Sequence, residues 1–275
     1  MNTKKAIPGN RKSQCLCSFP SPALTEQVQW VEGQFLPLSP NNELPYLFYC
    51  IIQMQRIQAM KRAIIFYNGD LSDLSQAKKY IQSTDFIICA DGGTEYAFKL
   101  GLKPNVVIGD FDSSSQDLQK KIKEQLIPTI KYKTDKDETD SELAINYAIE
   151  KGYDTLFIFG LLGTGLDHLL TNIFYLANLA EKNVDIDITI IEGKQEIKVT
   201  NTTIKLKGKI GDRISLIPLK GDVKEVNAHG LEYEDKLVNA DLRFGYSFGL
   251  SDSLIDGTAE ISLKKGTLLV IHEKS

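Results

Sequence analysis

The stretch MKRAIIFYNGD, residues 60–70, decides how the rest of the chain is read. Arg62 to Tyr67 is a short, mostly apolar run without alternation, closed by Asn68-Gly69-Asp70. Such a run, bounded by turn residues, reads as a strand buried on both faces, as in parallel sheets. Toward the C-terminus four more runs look similar: Asp85–Ala90, Asn105–Ile108, Thr129–Tyr132 and Thr155–Phe159. Between and after them lie stretches of helical period: Leu74–Gln82, Thr94–Leu100, Ser115–Gln125, Asp140–Lys151 and His168–Lys182. Gly101 and Gly152 fall where two of these helices should stop, because glycine readily takes the left-handed conformation just past a helix end.

This alternation predicts an open α/β sheet with helices on both faces, Rossmann-like in plan, over residues 60–183. The pattern then changes. Ile186–Ile191, Thr203–Leu206, Ile214–Pro218, Val223–Ala228, Ala259–Leu263 and Leu268–His272 are short runs, often alternating, with glycine-containing turns between them. They predict a C-terminal antiparallel β-sandwich over 184–275. The expected fold class is therefore α/β plus all-β. No internal repeat is visible.

Residues 1–59 differ from both. They hold six of the nine prolines and the only tryptophan, Trp30, without a clear helical or strand period. The expectation is an N-terminal extension, disordered or a non-native start, with translation beginning at Met60. An appendage with its own role is the other reading. The 275 residues are 42% hydrophobic with a net charge of −4, enough for a sizeable core. That charge argues against a broad nucleic-acid surface. Cys15, Cys17, Cys50 and Cys89 lack zinc-ribbon spacing and read as free thiols in a reducing compartment. No run is long and apolar enough to span a bilayer. The expected location is cytoplasmic, with neither membrane nor nucleic acid as partner.

Four loops carry the chemistry. Ala90-Asp91-Gly92-Gly93 follows the second strand, and its glycines would let backbone approach a phosphate closely. Taken alone it reads as a plain turn. Gly109-Asp110-Phe111-Asp112-Ser113 follows the third strand. In extended chain Asp110 and Asp112 project to one side, and such carboxylates repel unless a cation lies between them. Magnesium suits a site with few carboxylates plus waters and phosphates. A solvated acidic turn, with Ser113 capping the next helix, is the plainer alternative. In Thr134–Asp140, Thr139 and Glu142 fit a capping box that starts a helix near Asp140. The surplus acids there would add magnesium ligands and leave Lys136 facing phosphate. Gly160–His168 is a glycine-rich strand-to-helix loop without a Walker lysine. Within it, Asp167 alone would be an N-cap and His168 an ordinary helix-start residue. Together the loops line the carboxyl edge of the sheet, where open α/β folds bind ligands. The residues point to a magnesium–nucleotide site without a covalent nucleophile, suited to phosphoryl or pyrophosphoryl transfer.

This ordered set resembles the thiamine pyrophosphokinase family, whose pattern runs ADGG, GDFDS, D-x-D-x-T-D and a glycine-rich loop ending in Asp-His. Here these are Ala90–Gly93, Gly109–Ser113, Asp135–Asp140 and Gly160–His168. Gly211–Pro218, Gly230–Tyr233 and Gly266–Ile271 resemble the family's second domain, so the likeness runs from Met60 to the end. The resemblance implies transfer of pyrophosphate from ATP to the hydroxyl of thiamine, giving thiamine diphosphate and AMP, with magnesium as cofactor. It carries over Asp91, Asp110, Asp112, Asp140 and Asp167 as the catalytic set. Asp110, Asp112 and Asp140 are the metal or water-shell ligands, while Asp91 and Asp167 position substrate or phosphate. Gly92, Gly93, Lys136, Thr139, Gly163, Thr164 and His168 fall along ATP and its phosphates. It also implies a homodimer with composite sites, thiamine lying between the α/β domain of one subunit and the β domain of its partner. Tyr246, Phe248, Ser251 and Asp252, in Gly245–Ser253, are the matching thiamine residues.

The chain departs from the family in three places. Relatives commonly have Gly-Gly-Arg before the Asp-His loop, whereas Gly163-Thr164-Gly165 stands here, so Lys136 must serve more of the need for positive charge. Asp252 stands where many relatives have asparagine, which exchanges an amide donor for an acceptor. The stacking tryptophan of some relatives has no counterpart, and Tyr246 or Phe248 substitutes for it. The missing arginine leaves open a thiamine- or nucleotide-binding regulator without turnover. The paired acids leave open another magnesium-dependent, nucleotide-using transferase. Thiamine-dependent formation of AMP separates the three. Deleting residues 1–59 is expected to leave folding and turnover intact, checked by circular dichroism and assay of the truncated chain. Aggregation, or loss of most activity, would show that the segment packs on the core.

Overall fold

The structure, a computed structural model, describes residues 28–31, 34–37, 61–71, 73–110, 115–132, 138–161, 165–182 and 186–275. The chain divides into two units, Met1–Gln58 and Ala59–Ser275. In the first, β1 (Val28–Val31) pairs antiparallel with β2 (Gln34–Pro37), Val31 lying opposite Gln34. The sequence reading finds no strand in residues 1–59. Four-residue strands are too short to establish a period, which is why this hairpin does not stand out.

In the second unit the parallel strands are β3 (Arg62–Phe66), β4 (Phe86–Ala90), β5 (Val106–Gly109), β6 (Thr129–Lys131), β7 (Thr155–Phe159) and β8 (Asp187–Glu192). Their spatial order is β8-β7-β3-β4-β5-β6. Successive side chains alternate between two cores, as strand geometry dictates. Ala63, Ile65, Ile88, Leu156 and Ile158 face one core, while Ile64, Phe66, Cys89 and Phe159 face the other. Helices α1 (Leu74–Lys78), α2 (Gly93–Lys99) and α3 (Gln116–Glu124) cover the second core, contributing Ala77, Ala97, Leu118 and Ile122. Helices α4 (Asp140–Glu150) and α5 (Leu166–Glu181) cover the first with Ala144, Ile145, Ile173 and Leu176. The helices change face where the chain returns from edge strand β6 to central β7. That reversal puts a topological switch point beside β3, where open α/β sheets form their ligand crevice. β8 lies past residue 183, the expected domain boundary, yet it pairs parallel to β7.

The sheet does not end at β8. β9 (Gln195–Thr200) returns antiparallel to it and pairs with β15 (Lys265–Glu273), which pairs in turn with β11 (Arg213–His229). One surface of this antiparallel part, with Leu269 and Leu219, joins the core under α5. The opposite surface, with Ile214, Leu216, Leu268 and Val270, faces the C-terminal core. β11 is a single strand where the sequence reading sees two, Ile214–Pro218 and Val223–Ala228. Lys220 (φ 61°) and Gly221 (φ 138°) bend it without breaking it, and the pairing with β15 shifts register between Leu219 and Lys224. Such bulges re-aim a strand. Past the bend β11 pairs with β12 (Ala240–Leu242) and β14 (Thr258–Ser262), and β14 with β10 (Ile204–Lys207). β13 (Asp252–Ser253) pairs with the start of β11.

A buried charge network ties the chain's end to this junction. His272 is 1% exposed; its Nε2 lies 2.9 Å from Asp212 Oδ2 and its Nδ1 3.7 Å from Glu196 Oε2. The amides of Ser275 and Lys209 each donate to Asp212 at 2.9 Å. Glu196 also takes Lys274 and, at 2.8 Å, the Tyr80 hydroxyl. Burial works against charge on Asp212, yet those amides and the His272 ring hold its carboxyl well below the usual range. Burial likewise opposes Glu196, and its contacts with His272, Lys274 and Tyr80 still bring it down to about 2. For His272 burial favours the neutral ring, but the two carboxylates outweigh it and raise the pKa. A raised histidine contributes stability that is complete below its unfolded value of about 6.5 and is lost as pH rises through the folded value. The depressed acids contribute above about pH 4.3 and fail only in strong acid. The network is therefore strongest between these limits. Urea unfolding is expected to show lower stability at pH 8.5 than at pH 5.5, and His272→Gln should flatten that slope. An unchanged slope in the variant would remove His272 from the account.

Candidate active site at the carboxyl edge of the parallel sheet

β4 and β5 pair with Ala90 opposite Ile108, so their carboxyl ends emerge side by side. Asp91 leaves β4 in a left-handed conformation (φ 44°), its amide still donating to Ile108 O at 3.0 Å. Its carbonyl accepts from both the amide and the hydroxyl of fully buried Thr94. This turn delivers the Asp91 carboxylate onto the backbone of Gly109, where a Cβ would lie 1.8 Å from Oδ1. Asp91 and Asp110 are thereby brought to neighbouring positions on one edge. Gly93 is as constrained: a Cβ there would lie 2.2 Å from Phe66 O. Gly92 packs on the Asn68 side chain at the end of β3.

Asp140 opens α4, whose capping box is present as expected. Thr139 Oγ1 accepts from the Glu142 amide, and the Glu142 carboxylate accepts from the Thr139 amide. That first turn is fastened to β3 by buried Tyr67, whose hydroxyl donates to Ser141 O at 2.8 Å. Burial, then Tyr175 and Asp140, raise the Tyr67 pKa. Burial and the Glu142 carboxylate push Tyr175 up to about 12, and its hydroxyl donates to Asn146 Oδ1 at 2.6 Å. Both phenols therefore stay protonated donors at neutral pH. On α5 the N-cap is Gly165 (φ 142°), two residues before the Asp167 expected there. Asp167 sits in the first turn and accepts from the His168 amide at 2.9 Å, both residues being exposed. Asp112, Lys136, Gly163 and Thr164 lie outside the described residues.

In the C-terminal domain Tyr246 is 67% and Phe248 45% exposed, within an apolar run from Phe244 to Leu250. Ser251 is exposed, with φ 57°, and its amide donates to Ser215 Oγ at 3.1 Å. Asp252 is different. It is 4% exposed, and its Oδ1 accepts from the amides of Tyr233 (3.2 Å) and Ser253 (2.7 Å). Its carboxylate thus holds the turn at Tyr233, whereas the rings of Tyr246 and Phe248 are exposed.

Two residues that shape the site escape a list built on charged and phosphate-facing types. Gly109 seats Asp91, and its signal is its place immediately before Asp110. Tyr67 fastens Asp140's helix, and its only signal is a hydroxyl at the end of an otherwise apolar run. For a divalent cation, the donors at this edge are hard carboxylate oxygens of the type magnesium takes. Among the described residues no three acidic, histidine or cysteine side chains converge to enclose a metal. A cation here would draw further ligands from water, phosphate or residues 111–114, and the side chains present fit magnesium on those terms.

Residues 77–190 match the family described as thiamin pyrophosphokinase, catalytic domain, and residues 201–268 match the thiamin pyrophosphokinase vitamin B1 binding domain. A thiamine pyrophosphokinase of Bacillus subtilis is 28% identical over 213 residues, 78% of this chain and 99% of the relative. A crystal structure of the Bacillus subtilis thiamine pyrophosphokinase superposes with a TM-score of 0.70 at 27% identity, covering 78% of this chain and all of that one. That of Geobacillus thermodenitrificans gives 0.69 at 26% identity, covering 78% and 98%. The Candida albicans enzyme shares the fold at 15% identity, with a TM-score of 0.64 and 78% and 90% covered. In both its α/β and its β-rich halves, the chain belongs to the thiamine pyrophosphokinase family.

Proposed function

We propose that this enzyme makes thiamine diphosphate by moving the terminal diphosphoryl group of ATP to the hydroxyl of thiamine, with magnesium. The observation that carries the reading is the seating of Asp91 against Gly109, beside Asp110, on the edge where Asp140's helix is fastened to β3. The thiamine hydroxyl gives its proton to water or a nearby carboxylate as its oxygen bonds to the β-phosphorus of ATP. The bond from that phosphorus to the α–β bridging oxygen breaks, and AMP leaves with that oxygen. Such a transfer needs alignment and charge neutralisation more than covalent help from the protein. Asp110, Asp112 and Asp140 would hold magnesium directly or through water, and bound magnesium supplies the offset for the phosphate charge. Gly92 exposes backbone to the phosphates while buried Gly93 sets α2 close against β3, Lys136 supplies a cation, and Asp91 orients the phosphate chain.

The thiazolium ring of thiamine, flat and cationic, suits the exposed aromatic faces of Tyr246 and Phe248. A homodimer would cover these rings and complete each site with the partner's acidic edge. Exposed Leu166, Leu170 and Phe174, spaced four apart on α5, give that assembly a second apolar surface. Among the described residues no helix is long and apolar enough to cross a membrane. A cytoplasmic location completes the reading, supported by buried Cys89 being a free thiol.

Product analysis tests the reaction. AMP and thiamine diphosphate should form together, only with thiamine, ATP and magnesium all present; AMP without thiamine would point to another acceptor. Asp112→Ala should lower kcat by about a hundredfold or more, as removal of one charge-stabilising group typically does, with an unchanged circular dichroism spectrum. Near-normal turnover at saturating magnesium would sink the metal assignment. The composite site is tested with mixed dimers. One chain carries Asp112→Ala and the other Tyr246→Ala with Phe248→Ala. Each parent should be nearly inactive, while the heterodimer should recover one working site because both lesions fall in the other. A verified heterodimer without activity would mean that each subunit builds its site alone.

A further inference from the structure

Tyr67 joins three of the site's supports. Its amide donates to Phe159 O of β7 at 2.9 Å. Its carbonyl abuts Gly160, where a Cβ would lie only 2.7 Å away and φ is 68°. The strand end is secured once more by the Gly69 amide donating to Gly160 O at 2.8 Å. Its side chain is buried and reaches away from this backbone to Ser141 O, in the first turn of α4. One residue thus links the end of β3, the start of the glycine-rich loop and the helix that begins with Asp140.

The hydroxyl's partner follows from burial. A buried phenolic O–H left without an acceptor loses its hydration with nothing in return, so it fixes whatever carbonyl satisfies it. Ser141 lies one residue after Asp140, and its carbonyl has a lone pair to spare beyond the helix's own bond. Holding that carbonyl sets both the depth and the rotation of the first turn against β3. The capping box fixes where α4 starts along the chain; the Tyr67 hydroxyl fixes where that start sits in space. We infer that Tyr67 is a positioning residue that acts through Asp140, holding the start of α4 so that the Asp140 carboxylate meets the magnesium–phosphate group. This rests on the reading of Asp140 as a ligand to magnesium or its water shell.

The test is a double-mutant cycle with Tyr67→Phe, Asp140→Asn and the pair. Tyr67→Phe removes one oxygen and leaves the ring, so the fold should persist by circular dichroism. Three quantities are read: kcat, the magnesium concentration for half-maximal rate, and equilibrium binding of manganese(II) with a non-hydrolysable ATP analogue by electron paramagnetic resonance. Loss of one positioning hydrogen bond should raise the half-saturating magnesium about tenfold and weaken manganese binding similarly, with the KM for thiamine unchanged. In the Asp140→Asn background, Tyr67→Phe should add less than about a twofold effect, because its target is already disabled. An equal effect in both backgrounds, or a lower melting temperature with unchanged magnesium and manganese dependence, would overturn the inference and leave Tyr67 a structural residue. Wild-type turnover and manganese binding in Asp140→Asn alone would instead overturn the underlying reading of Asp140, and the inference with it.

Discussion

At the carboxyl end of β3 the chain is packed backbone against backbone. Gly93 closes on Phe66 O and Gly160 on Tyr67 O, with too little space at either contact for a methyl group. The placing of two of the site's loops depends on that closeness. It brings α2 down beside β3 and starts the glycine-rich loop against the same strand, while Gly109, lacking a side chain, seats the Asp91 carboxylate. A site for a polyphosphate needs charge placed on a surface that gives way little, because transfer depends on alignment. Here the rigidity comes from main chain, and the charged groups are hung from it.

Much of this could be read from residues in order. The five apolar runs and the capping box at Thr139 and Glu142 follow local rules, namely burial of a strand on both faces and satisfaction of helix-end amides. Other parts depended on contacts distant in sequence. Asp252 looks like an exposed polar residue in a glycine-flanked stretch, yet it is a buried acceptor for the turn at Tyr233. β9 alternates weakly and carries Glu196, whose partners lie at positions 80, 272 and 274. β11 contains Lys220-Gly221-Asp222, which by composition is a turn, and the sheet on either side keeps it a bent strand. In each case the deciding partner lies far away in sequence, and no window of local pattern contains it.

The same sheet also blurs the division between the two halves. Leu269 faces the core under α5 while Leu268 and Val270 face the C-terminal core, so one strand wall serves both. The His272 network sits at that wall and reaches Tyr80, whose ring packs near Phe157 and Phe159. The β-rich half is thus built onto the α/β half through shared strands and shared charge, and a rigid relation between the acidic edge and the β-rich half follows from this.

The position of β15 has a consequence for how the chain is made. β15 follows both β9 and β11 in the chain, and it lies between them in the sheet rather than at a margin. Until it emerges from the ribosome, β9 can pair with β8 but presents its other edge to the surroundings, and β11 lacks its principal neighbour. Unpaired edges of this kind invite association with other chains. The nascent chain therefore carries an open seam until β15 has been made, and the clasp of Lys274 and Ser275 upon Glu196 and Asp212 can form only after that strand.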